Sequence, residues 1–331
     1  MNKRLKILIN YFLGPLIFVV LCVSLYRQIM QQPDLAVRWN QISQSWQKGN
    51  FWLVILLMPL NWGLESLKWQ MLMHRLQPFS FVSALKSVLA GCSVTMLTPN
   101  RIGEYGGRVL FVEPVNRVQA ISLTIVGSLS QLLVTLIAGA AGMVFLRYFS
   151  QEVGAQMKIV PDFLGNFLIV LSGVVALLTA MLYWKISWLM IWIGRWKWVK
   201  KIQPHIAAIS AFNNATLWKL FSVSVLRYIV FVLQYVWMLQ VMEVEVGFVT
   251  SFAMITVFYI IMALAPTIGF IELPLRLSVL GLIYQLVSNN ELGVSSAALG
   301  VWFINLVIPA ILGSLLILRV RVIKEKAAVK T

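Results

Sequence analysis

Long apolar runs alternate with short polar breaks along the whole chain, and the run lengths predict the elements. Stretches close to the ~20 residues a helix needs to cross a bilayer occur at 8–30, 51–73, 118–148, 163–183, 217–242 and 295–318. A membrane β-barrel would instead show ~10-residue alternating segments. Two further apolar helices, 80–97 and 248–264, end in breaks that carry charge. The first break reads Thr98-Pro99-Asn100-Arg101-Ile102-Gly103-Glu104-Tyr105-Gly106-Gly107-Arg108, and the second runs from Ala265 through Pro266, Gly269, Glu272 and Pro274 to Arg276. The apolar arms that follow, 104–112 and 277–288, are too short at 1.5 Å per residue to cross ~30 Å of hydrocarbon. Both segments therefore read as re-entrant helical hairpins.

Composition agrees: 60% of the 331 residues are apolar and 11% charged. The expected fold is an all-α polytopic membrane protein with about six full transmembrane helices plus two re-entrant hairpins. A net charge of +16 would suit nucleic acid in a soluble chain, but in a membrane protein Lys and Arg collect in cytoplasmic loops. No nucleic-acid partner is expected. Lys3, Arg4 and Lys6 place the start of the chain inside, and the run after them lacks a small-x-small cleavage site, so it reads as a retained first span. Arg319, Arg321, Lys324, Lys326 and Lys330 place the other terminus inside as well. Segment 185–212 carries Arg195, Lys197, Lys200 and Lys201 with Trp184, Trp188, Trp192 and Trp196 at every fourth position, which predicts a basic interfacial helix at the inner leaflet. Cys22 and Cys92 fall inside apolar runs and read as packing residues.

The charge bias also fixes the direction of the hairpins. Residues 51–148 read as span, hairpin, span, with both hairpin ends inside; residues 217–318 repeat the unit with both ends outside; residues 149–216 connect them. An inverted repeat of this kind places interrupted helices and a binding site near the bilayer midplane. The expected organisation is one membrane domain over 1–331, located in the cell membrane with both termini cytoplasmic.

Charged side chains at membrane depth are functional suspects by default. Glu104 and Arg108 stand four apart, as do Glu272 and Arg276, so each pair can share a helix face. They read either as ion pairs locking the hairpins or, with Arg101, as the lining of a polar path for a lipid headgroup. An Arg fork and helix N-terminal N–H groups both suit phosphate. Glu65 and Lys68, three apart, read as a pair snorkelling toward the inner interface or as polar support for that path, and Arg227 sits within the span 217–242. His74 and His205 lie near inner loops, no carboxylate cluster has metal-ligand spacing, and no phosphate loop is present. No catalytic residue, metal or cofactor is expected.

The motifs Thr98-Pro99-Asn100-Arg101-Ile102-Gly103-Glu104 and Pro266-Thr267-Ile268-Gly269-Phe270-Ile271-Glu272 resemble those of the flippase-like membrane region of lysylphosphatidylglycerol synthases, the multiple peptide resistance factor family. The resemblance covers essentially residues 5–325, with Asn100 where a Gly is common. It implies movement of a phospholipid or other lipid-linked anion between leaflets, with anionic or phosphate-bearing membrane lipids and a separate lipid-modifying enzyme as partners. The chain ends at Thr331 without room for the synthase domain, so the free-standing form is expected and aminoacyl transfer is not. The alternative is a membrane enzyme or accessory subunit acting on lipid phosphates or aminoacyl-lipids.

Overall fold

The computed structural model describes residues 43–96, 98, 102–150, 161–193, 212–265 and 269–318, together with Val19, Val23, Ala36, Asn40, Val153 and Ile209. Among the described residues the regular elements are helices: α1 (Gly49–Met73), α2 (Phe81–Thr95), α3 (Gly103–Arg108), α4 (Arg117–Tyr148), α5 (Asp162–Trp184), α6 (Ile186–Ile193), α7 (Asn214–Val241), α8 (Phe248–Leu264), α9 (Gly269–Tyr284), α10 (Glu291–Trp302) and α11 (Ile308–Ile317). A π-helical turn, Phe303–Val307, joins α10 to α11. The starts fall where side chains can cap orphan N–H groups. Ser80 Oγ accepts from Ser83 N at 3.2 Å, Asn213 Oδ1 from Thr216 N at 2.9 Å and Asn290 Oδ1 from Gly293 N at 2.8 Å.

Four of these helical runs are long and apolar enough to cross a bilayer: Pro114–Tyr148, Asp162–Trp184, Asn214–Val241 and Glu291–Ile317. The chain is an α-helical, multi-pass membrane protein. Helix α1 has 25 residues and the length to span, but Asn61, Glu65, Lys68 and Gln70 make it more polar than those four. The expected first span, 8–30, and the basic segment after Ile193 lie outside the described residues apart from Val19, Val23 and Ile209.

In both charged breaks helix occupies more of the chain than the sequence predicts. In the first, helix resumes at Gly103, and Gly106 and Gly107 sit inside it rather than breaking it. A Cβ on Gly107 would lie 2.5 Å from the Ala90 carbonyl oxygen and 2.6 Å from Gly91 Cα, so glycine here lets α3 lie directly on α2. The return helix ends at Arg108 and continues as a 3-10 turn, Val109–Phe111, so the arm covers 103–111 where the sequence predicts 104–112. In the second, α9 starts at Gly269 and carries Pro274 inside it, so Glu272 and Arg276 ride on a helix instead of in a break. Neighbouring membrane helices can satisfy the carbonyl that proline leaves open.

Helices α1 and α7 pack along each other at the centre, α11 packs on α2, and α8 on α4. The α8–α4 contact is a close one: a Cβ on Gly142 would collide with Thr256 Oγ1 and lie 2.9 Å from the Ala253 carbonyl, the small-residue approach typical of membrane helices. Polar clasps tie α1 to α7 at both ends. Lys48 Nζ donates to Glu243 Oε1 and to the Val241 carbonyl, each at 2.7 Å, and at the far end Arg75 Nη2 donates to Thr216 Oγ1 at 2.6 Å. Lys48 holds the exposed Glu243 carboxyl below its usual range, through the hydrogen bond first and its charge second. One apolar core gathers around α2 and the earlier half of α4, a second around α8, α9 and the later half of α7. Helix α5 stands at the edge on α4, with Phe163, Phe167, Leu171, Val174, Leu178 and Met181 exposed, as a lipid-facing helix requires.

Candidate functional site

The site grows from Glu65 on α1. Its position is dictated by length: Arg227 is the fourteenth of the 28 residues of α7, Gln131 the fifteenth of the 32 of α4, and Asn305 stands midway along Glu291–Ile317. Polar side chains from spanning helices therefore converge near mid-span, where isolated charge costs most.

Glu65 Oε1 accepts from Arg108 Nη2 at 2.6 Å, and Oε2 stands 2.8 Å from Lys68 Nζ and 3.1 Å from Arg227 Nη1. All four side chains are at most about a tenth exposed. Arg108 also donates to Glu104, one turn back on α3, so α3 is tied to α1 through a single guanidinium lodged between two carboxylates. The Arg108 fork lies over the Trp69 ring at 5.2 Å, and Trp69 Nε1 donates to Ser87 Oγ, which donates to the Arg108 carbonyl at 2.6 Å. Arg227 is held as firmly. It lies 5.0 Å from the Phe231 ring centre and donates from Nε to Asn61 Oδ1 at 2.9 Å and from Nη1 to Gln131 Oε1 at 3.2 Å. Asn61 Nδ2 in turn donates to Asn305 Oδ1 at 3.2 Å. Asn305 sits in the π-helical turn, whose extra residue re-aims a side chain, and its Nδ2 donates back to the Val301 carbonyl.

The second pair is separate from this cluster. Arg276 donates to Glu272 Oε1 from Nη2 at 2.6 Å and from Nε at 3.0 Å, and its Nη1 stands 3.4 Å from the Tyr235 hydroxyl. Both clusters border one cavity of about 740 Å³, which Glu65, Lys68, Glu104, Arg227, Glu272 and Arg276 line on the polar side. Ile125 and Leu132 of α4 and Leu264 of α8 line its other side and are exposed at the protein surface. That mouth opens where α4 and α8 part, beyond their Gly142 contact.

Residues 12–271 match the family model described as the lysylphosphatidylglycerol synthase TM region. The chain belongs to this family. The match is shorter than the span 5–325 expected from the motifs, and it ends one residue before Glu272. Glu65, Lys68, Glu104, Arg108, Gln131 and Arg227 thus lie in the part shared with the lysylphosphatidylglycerol synthase TM region, whereas Glu272, Arg276 and Asn305 lie beyond it. A search of curated proteins finds no match.

Of the residues singled out in the sequence, Glu65, Lys68, Glu104, Arg108 and Arg227 form one cluster, Glu272 and Arg276 the facing pair, and Arg101 lies outside the described residues. The snorkelling reading of Glu65 and Lys68 is overturned: Lys68 is 1% exposed, because two guanidinium groups from α3 and α7 draw the carboxylate inward. Sequence reasoning passed over Gln131, Asn305 and Tyr235. A uniform search for amide side chains at the middle of spans would have found the first two. Among the described residues no group of three His, Cys, Asp or Glu side chains could hold a metal ion.

Proposed function

We propose that the chain translocates a phospholipid or other lipid-linked anion between the leaflets of the cell membrane. The observation that carries this reading is the shape of the cavity: a charged floor near mid-span and an exposed apolar mouth between two helices. An amphiphile fits that arrangement with its headgroup on Arg227, Lys68 and the Glu272–Arg276 pair and its acyl chains leaving past Ile125, Leu132 and Leu264. Membership of a family named for a lipid-modifying synthase's membrane region supports a lipid as cargo.

The route runs through two facing hairpins in an inverted repeat, 51–148 and 217–318, each re-entrant from one side, with both termini cytoplasmic. The packing supports this organisation. Exchanging the halves turns the α2–α11 contact into the α8–α4 contact and leaves α1 against α7. Arg108 and Arg276, each gripped by a carboxylate one turn back, serve as exchangeable anion partners: a phosphate arriving at the fork takes over bonds that Glu104 or Glu272 otherwise supplies, so its desolvation is offset step by step.

The test is transfer of labelled anionic phospholipid between leaflets of liposomes holding the purified protein. Glu104→Gln or Arg108→Ala is expected to slow it while folding is kept; full rates in both variants would refute the site.

A further inference from the structure

We infer that Trp62, Tyr228 and Trp302 form a donor subsite in the cavity wall that takes the acceptor oxygens at the base of a phospholipid headgroup, the phosphate and ester oxygens that lipids of every headgroup charge have in common. The inference rests on the translocation reading above and says which part of the cargo the wall holds. Buried polar groups in a folded chain are nearly always hydrogen-bonded, so one that is not asks for a reason. This fold meets the rule elsewhere: Trp69 Nε1 donates to Ser87 Oγ at 2.8 Å, the Tyr183 hydroxyl to the Leu217 carbonyl at 2.7 Å and the Tyr284 hydroxyl to the Ser251 carbonyl at 3.4 Å. Among the described residues, five buried side-chain groups able to donate have no partner, and three of them, Trp62 Nε1, Trp302 Nε1 and the Tyr228 hydroxyl, belong to residues that line this one cavity. All three residues are at most 6% exposed.

The three come from different helices but from one place. Trp62 follows Asn61 on α1, Tyr228 follows Arg227 on α7, and Trp302 stands one turn before Asn305; hydrogen bonds join Asn305 to Asn61 and Asn61 to Arg227. The Arg227 guanidinium also lies 5.9 Å from the Trp62 ring centre. Their chemistry is narrow. An indole N–H can only donate, so its occupant must bring acceptors, and a metal ion, an ammonium group or a bare acyl chain leaves it unmet. The exposed apolar mouth at Ile125, Leu132 and Leu264 adds that the acceptors are attached to acyl chains. Ester carbonyls and phosphate oxygens are the acceptors so attached in a phospholipid. Choline, glycerol and lysyl groups all hang beyond them, so this subsite holds the lipid without sorting it by headgroup.

The experiment measures binding of dioctanoyl phosphatidylcholine, its diether analogue, dioctanoyl phosphatidylglycerol and octanoate to the full-length protein in uncharged detergent micelles by calorimetry, alongside the SDS unfolding midpoint of the protein without added lipid. Tyr228→Phe removes the hydroxyl and little else. It is expected to loosen phosphatidylcholine and phosphatidylglycerol by the same factor, about three- to tenfold, and to raise the unfolding midpoint, because a buried group without a partner has gone. Trp302→Phe should loosen both lipids alike. Tyr183→Phe is the reference: its hydroxyl is bonded to the Leu217 carbonyl, so its midpoint should fall while lipid affinity stays. A diether analogue that binds normally and responds to Tyr228→Phe supports the subsite with phosphate oxygens as the acceptors; one that binds weakly and does not respond supports it with ester carbonyls. Unchanged affinity for both lipids in Tyr228→Phe, a midpoint that falls as in Tyr183→Phe, or a loss confined to one headgroup would overturn the inference and leave the translocation reading standing. Octanoate binding as tightly as phosphatidylcholine would overturn it too and assign the donors to a free carboxylate. Binding of no lipid at all would remove the inference and the reading beneath it together.

Discussion

Replacing Glu65 by Gln keeps the shape of the side chain and removes its charge. Lys68, Arg108 and Arg227 then face one another around an amide, with Glu104 the carboxylate left on Arg108. Breaking one buried ion pair costs about 3–5 kcal/mol because a charge is left uncompensated. Here three cations share the lost partner at 2.6–3.1 Å, which places the expected cost at the upper end, about 5 kcal/mol. Adding Lys68→Met removes one surplus charge and keeps most of the buried aliphatic stem. It should return about 2 kcal/mol, a coupling well above the ~0.5 kcal/mol scatter of independent sites. Equilibrium unfolding by SDS in mixed micelles, followed by tryptophan fluorescence, measures all four members of the cycle. A loss below about 1 kcal/mol in Glu65→Gln, or strict additivity in the double variant, would refute Glu65 as the hub of the cluster.

Gly107→Ala should destabilise by about 1–3 kcal/mol, since its Cβ would press into the α2 backbone, whereas Gly106→Ala, whose Cβ meets nothing within 4 Å, should be neutral or stabilise by up to about 1 kcal/mol; the same unfolding assay compares them. Asn305→Leu should cost about 1 kcal/mol for its bond to Asn61 and slow anionic-phospholipid transfer in liposomes through the loosened Arg227. The Lys48–Glu243 clasp should hold at neutral pH and release as pH falls through the lowered carboxyl value of Glu243, because a depressed acid contributes its stability only while ionised. Hydrogen exchange at the first turn of α1 should then quicken at acid pH in the native protein and lose that dependence in Lys48→Ala. For orientation, a cysteine at Asn290 should react with an impermeant thiol reagent added outside intact cells, and one at Gln203 should not.

Helix positions were legible because hydrocarbon thickness and hydropathy act on each segment alone: the expected 248–264 is Phe248–Leu264, and 163–183 differs from Asp162–Trp184 by one residue at each end. How the charged stretches divide between helix and break was less so. Glycine clusters read as breaks, but Gly107 serves a contact with α2 that is invisible without knowing which helix lies beside it. The site was half legible for the same reason. Pairs such as Glu272 and Arg276 announce themselves by spacing, while the joining of Glu65 to Arg108, 43 positions away, and to Arg227, 162 positions away, depends on tertiary packing. A local pairing rule therefore found the partners of Lys68 but read the pair as peripheral.

The way the charges are partnered bears on how the protein is made. Glu65 with Lys68, Glu104 with Arg108 and Glu272 with Arg276 are each neutralised within one turn of their own helix, so each segment can leave the insertion machinery already compensated. Arg227 has no acidic residue within four positions along α7; its carboxylate belongs to α1, made long before. Insertion of α7 carries a cost of about 2.5–3.5 kcal/mol until it docks there. The earlier half of the chain is in this sense a template for the later one, and loss of Glu65 should surface during biogenesis as a misplaced α7.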